Sequence, residues 1–169
     1  EGRRVRVLTF VTLLFIGMGP LFIFRYYQMG ISSLSAAVLV AMLLGGLTLL
    51  WVREGGSVDK GGILVTSILL TLLTYSNFCS GGIGDPNFGW LYVVPILGAL
   101  LVSALVGWVF TGVVFVLALL FWLAPEHGFE IPNYIPPELH REQSLANRLS
   151  SIVAIGVMLA ALAGQQKHA

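Results

Sequence analysis

The side chains able to bind or react gather in two stretches of this chain. One runs from Asn77 through Cys79, Asp85, Asn87, Phe88 and Trp90 to Tyr92; the other carries Glu126, His127, Glu130, Asn133, Tyr134, Glu138, His140 and Arg141. Amides, a carboxylate and aromatic plates beside apolar sequence suit the holding of a small amphipathic or lipophilic molecule better than its conversion. Nucleophilic catalysis requires a hydroxyl or thiol with a base in reach. Ser67, Ser76 and Ser103 lie in apolar runs that hold no histidine or acid, so no catalytic residue is expected here. The histidines and glutamates of the second stretch do not fall at the spacings of a zinc site, and no metal is expected. Cys79 is the one cysteine, which excludes an intrachain disulfide.

The elements that must position these groups follow from composition. Hydrophobic residues make up 57% of the 169 and charged residues 10%, with a mean hydropathy of +0.90. So few charges cannot cover a soluble domain, and a lipid bilayer is the expected partner of much of the surface. A net charge of +1 without a basic stripe gives no footprint for nucleic acid.

A membrane-crossing helix needs about 20 apolar residues. That ruler predicts an all-α polytopic membrane protein, a bundle of six transmembrane helices over about 7–24, 31–52, 63–78, 90–106, 108–124 and 146–164. From Trp90 to Ala124 no residue is charged, and the break between the fourth and fifth spans is placed near Gly107-Trp108. The third span stops at Cys79-Ser80-Gly81-Gly82-Ile83-Gly84-Asp85-Pro86-Asn87, where glycine and proline end a helix. Pro136-Pro137-Glu138 opens the sixth. Pro20 and Pro95 fall inside spans and are expected to kink them.

Short loops on the cytoplasmic side carry the excess of lysine and arginine. Arg3, Arg4, Arg6, Arg53, Lys60 and Lys167 fall on one side of such a bundle, against Arg25, Arg141 and Arg148 on the other. Both termini are therefore expected in the cytoplasm. The two polar stretches then share the outer face and should meet across the bundle. Ionisable groups are missing from the third to fifth spans, which weighs against a proton-coupled pump.

Helices in lipid associate through small residues. Ser33, Ala37, Ala41 and Gly45 form one such stripe, Ala99, Ser103 and Gly107 a second within the fourth span, and Gly156, Ala160 and Gly164 a third. The last is the expected seam of a homodimer. A chain that begins with Glu1 and ends at Ala169 reads as one transmembrane domain excerpted from a longer protein.

The string Gly81-Gly82-Ile83-Gly84-Asp85-Pro86-Asn87-Phe88 between spans three and four resembles the Gly-Gly-x-x-Asn-Pro-Phe turn of the membrane input region of RegB-type sensor histidine kinases. Asp85 stands where that pattern has asparagine, and Asn87 moves the aromatic one place along. Trp90 to Pro95 is similar to the opening of the next span in membrane modules of other histidine kinases and of diguanylate or adenylate cyclases.

The resemblance implies a sensory input domain of a two-component or cyclase signalling protein in the bacterial inner membrane. Its enzyme activity would reside in an absent output domain, and its ligand would be a quinone or another lipid-like molecule. The residues expected to bind that ligand are Asn77, Gly81, Gly82, Asp85, Pro86, Asn87, Phe88, Trp90, Tyr92 and His127. Scarce midplane charge also fits a small transporter or channel for a neutral solute, and the small-residue stripes fit a membrane-embedded scaffold subunit.

Overall fold

The computed structural model describes residues 2–166, and side-chain surroundings for all of them except 3, 86, 140, 143, 146 and 157–166. It divides into two compact units, Glu1–Ser76 and Asn77–Ala169. Among the described residues the regular structure is helical, with one isolated bridge between Ser80 and Asn133. Four helices are long and apolar enough to cross a membrane: Arg4–Gln28, Ser32–Arg53, Val58–Cys79 and Ala104–Glu126. Their exposed side chains are largely apolar, among them Leu21, Leu43, Leu47, Leu105, Trp108, Phe115 and Leu120, as a lipid-facing surface requires.

The first unit holds α1 (Gly2–Gln28), α2 (Ser32–Arg53) and most of α3 (Val58–Cys79). α1 and α2 make a tight hairpin because α1 stops abruptly. Gly30, at φ 78°, donates to the Tyr27 carbonyl at 3.0 Å, and Ile31 donates to that of Tyr26 at 3.0 Å. This paired closure consumes carbonyls that the helix end would otherwise leave bare, and glycine takes the left-handed position without strain. The same closure ends α2 at Gly55 and Gly56.

Along the hairpin the glycines of α2 face side chains of α1 at ordinary contact distance. A Cβ on Gly45 would lie 3.6 Å from Thr12 Cγ2, and one on Gly46 3.8 Å from Ile16 Cδ1. Of the stripe expected on this helix, Ala41 and Gly45 are buried whereas Ser33 is exposed. The buried face instead runs through Leu34, Val38, Ala41, Gly45, Leu49 and Val52.

The second unit contains a short 3-10 turn, Gly82–Gly84, a longer 3-10 helix, Pro86–Tyr92, then α4 (Val93–Leu101), α5 (Ala104–Glu126) and α6 (His140–Gln166). The long uncharged run breaks at residues 102–103, correcting the break expected at Gly107-Trp108. The reason is a cap. Ser103 is extended, at φ −165° and ψ 162°, and its side chain accepts from Val106 N at 3.3 Å, starting α5.

Ala99, Ser103 and Gly107 therefore do not line one face of one helix. Ala99 lies on α4, Gly107 on α5 and Ser103 in the corner between them, so the small residues serve the antiparallel contact of this hairpin. Pro95 falls in the first turn of α4, where its missing N–H removes no bond from that helix. Ser103→Ala removes the cap and is expected to lower stability by about 0.5–2 kcal/mol in detergent-titrated unfolding.

Candidate functional site

The site is built where α3 gives way to the turn before α4. Asn77, Cys79 and Ser80 are all buried. The Cys79 carbonyl accepts from Tyr134 N at 3.0 Å, and Ser80 bridges Asn133, so the two polar stretches do meet. Asn133 Oδ1 in turn accepts from Ile135 N at 3.1 Å, folding its own loop so that Ile135 is buried. Phe78 and Phe129 tilt against each other with ring centroids 6.3 Å apart.

Gly81 and Gly82 turn the chain with φ of 97° and 79°. A Cβ on Gly82 would lie 2.8 Å from Ile131 Cδ1 and 3.4 Å from Phe121 Cδ1, so the backbone itself packs against α5 and the loop that carries Ile131. Gly82→Ala would force a side chain into the left-handed region and press on Ile131. The expected cost is about 1–2 kcal/mol, and a Gly84→Ala control, which meets nothing within 4 Å, should leave stability nearly unchanged in the same unfolding assay.

Asp85 begins the longer 3-10 helix. Its backbone is extended and its Oδ1 accepts from Asn87 N at 2.6 Å, while Pro86 takes the first helical position, where no N–H is needed. The helix directs Asn87, Phe88 and Leu91 inward, all buried. Phe88 meets Phe121 of α5 edge to face at 6.1 Å and Tyr92 at 6.0 Å.

Asn87 reaches α6. Its Oδ1 accepts from Nδ2 of Asn147, and a turn further along, Gly89 faces Ser151, whose Oγ is 3.9 Å from the place of a Gly89 Cβ. Asn147 and Ser151 are the residues that α6 buries between positions 141 and 156, where side-chain surroundings are described, while Leu145, Leu149, Ile152 and Val153 are exposed. Over these described residues the helix turns a polar stripe toward the protein and leaves apolar side chains outward, with Arg141, Glu142 and Arg148 also exposed toward its start. The side-chain nitrogen of Asn87, Nδ2, is buried and has no hydrogen-bond partner among the described residues.

Of the residues expected to bind, Asn77, Gly81, Gly82, Asp85, Asn87 and Phe88 are drawn together at this turn, and Pro86 holds its backbone place. Trp90 is half-buried and Tyr92 exposed. His127 is exposed at the end of α5, where its Nδ1 bonds the Leu123 carbonyl at 3.0 Å. Gly156 is exposed and a Cβ there would meet nothing within 4 Å, whereas the side-chain surroundings of Ala160 and Gly164 lie outside the described residues.

Phe121, Asn147 and Ser151 belong to the site and were not singled out from the sequence. The signal for the last two is the spacing of Ser144, Asn147 and Ser151, three and then four apart on one face of a helix otherwise turning apolar.

Chemically the turn offers amides, one carboxylate and aromatic edges, and among the described residues no group of His, Cys, Asp and Glu is arranged to hold a metal ion. It can grip and orient a molecule or another helix. Comparison with protein-family models, with curated proteins and with solved structures finds no match.

Proposed function

We propose that the chain is the sensory input module of a bacterial inner-membrane signalling protein, with six transmembrane helices and both termini in the cytoplasm. A small amphipathic or lipophilic molecule binds at the outer turn, and α6 carries the change toward a cytoplasmic output domain of kinase or cyclase type. Homodimerisation along the outward face of α6 belongs to the same reading.

The observation that supports it most is the hydrogen bond from Asn147 of α6 to Asn87 of the outer turn. Whatever moves this turn acts directly on the last helix. In this reading the fourth and sixth crossings, beyond the four long apolar helices, are supported by length. Seven residues of 3-10 helix and nine of α4 rise about 27 Å together, against about 30 Å of hydrocarbon. α6, with 27 residues, rises about 40 Å.

The test is native mass spectrometry of the protein purified in mild detergent from its own membranes, with Asn87→Leu and Phe88→Ala variants alongside. A co-purifying small molecule that both variants lose is the expected result. Solute flux through reconstituted vesicles, with no retained molecule in any sample, would replace the sensor by a channel.

A further inference from the structure

Building on the outer turn as the sensing site, we propose that α6 has two registers against the 3-10 helix Pro86–Tyr92: Asn87 pairs with Asn147 in the first and with Ser151 in the second. The first is the arrangement in the structure.

The two elements run in the same direction from the turn, since Asn87 meets Asn147 and the later Gly89 meets the later Ser151. Asn147 and Ser151 are four residues apart, one turn of helix, so they lie on one stripe about 40° apart around the axis. Both are buried, with exposures of 2% and 8%. An outward slide of α6 by about one turn, ~5.4 Å, brings Ser151 level with Asn87.

Three features make that slide a balanced exchange. First, Asn87 is 4% exposed and its Nδ2 has no partner in the first register. The Ser151 hydroxyl donates to the Arg148 carbonyl at 3.0 Å and keeps its oxygen as an acceptor, so Ser151 can take the Nδ2 proton that Asn147 leaves unserved. Second, the slide carries Asn147 toward the aqueous edge, where water replaces its lost partner. Third, the residue on the 3-10 helix between the two rungs is Gly89, which has no side chain to obstruct the passing Ser151. On the opposite side of α6, Leu149, Ile152 and Val153 exchange one lipid contact for another. A helix held by discrete polar rungs rather than by an apolar lock has two positions, not a continuum.

The experiment places a spin label on Leu149→Cys, exposed at 55%, in a Cys79→Ala background of the full protein in phosphatidylcholine vesicles, with no ligand added. Its depth is read by accessibility to a water-soluble nickel complex against oxygen. Asn147→Leu and, separately, Ser151→Asn are expected to move the label outward by about one helical turn, ~5 Å. Adding Ser151→Ala to Asn147→Leu is expected to return it to the parental depth.

If Asn147→Leu does not fold, Ser151→Asn alone decides. Parental depth in the variants that fold, or an outward label that persists in the double variant, overturns the two registers. A depth shift in a protein that retains no small molecule would uphold the registers while sinking the sensor reading, so the two ideas fail separately.

Discussion

Asn147→Leu is expected to lower the unfolding free energy by about 1–3 kcal/mol, measured by detergent-titrated unfolding in mixed micelles. The substitution removes the one donor that reaches Asn87 Oδ1 across 60 residues of sequence. Held in the first register, Asn87 is left buried with its whole side-chain amide unserved, since its Nδ2 already lacks a partner, and an outward slide to Ser151 restores only one of its bonds. The size of the effect comes from that stranded group more than from the lost bond.

Interhelical hydrogen bonds in membranes contribute only about 0.6 kcal/mol on average, because the unfolded chain in lipid finds other partners. The pair Asn87→Leu with Asn147→Leu should therefore recover much of the loss, since two apolar side chains strand nothing. Costs that simply add in the double variant would show that the two amides do not act as a pair.

Gly107→Leu is expected to cost about 1–3 kcal/mol, near the upper end, and to separate α4 from α5. A Cβ at Gly107 would lie 2.7 Å from Ala99 Cβ, 3.1 Å from the Pro95 carbonyl oxygen and 3.2 Å from Ala99 Cα. These neighbours are backbone or its first carbon, so no flexible side chain can move aside. Gly112, on the same helix and with nothing within 4 Å, is the internal control. Gly112→Leu should be neutral or stabilising by up to about 1 kcal/mol, because glycine is a poor helix former. Equal losses at both positions would mean that close backbone approach is not what holds this hairpin.

Much of the helix content was legible as runs of apolar residues, because lipid demands uninterrupted helical hydrogen bonding. The Gly81-Gly82 turn and its meeting with the loop before α6 were also legible, since glycine and proline carry backbone instructions in their own chemistry. The break at residues 102–103 was not. Inside an uncharged stretch Ser103 reads equally as a small packing residue and as a helix cap, and the backbone angles that decide between them are not written in the periodicity.

Asn147 was hidden differently. Among Glu138, His140, Arg141, Glu142 and Arg148 it reads as part of a solvated helix start. Its burial depends on Asn87, and no local pattern links residues so distant in sequence. Tyr92 and His127 have exposed side chains, and of the two Tyr92 reaches the turn, edge-on to Phe88 at 6.0 Å.

The abrupt glycine closures at Gly30 and Gly55 and the two-residue corner before α5 leave very short links between successive helices. Contacts so near in sequence form early, so α1 with α2, and α4 with α5, can pair while the ribosome is still adding residues. The Asn87–Asn147 bond cannot. The turn that carries Asn87 leaves the ribosome before its partner on α6 exists, and during synthesis its amide must wait until nearly the last helix of these residues has been made.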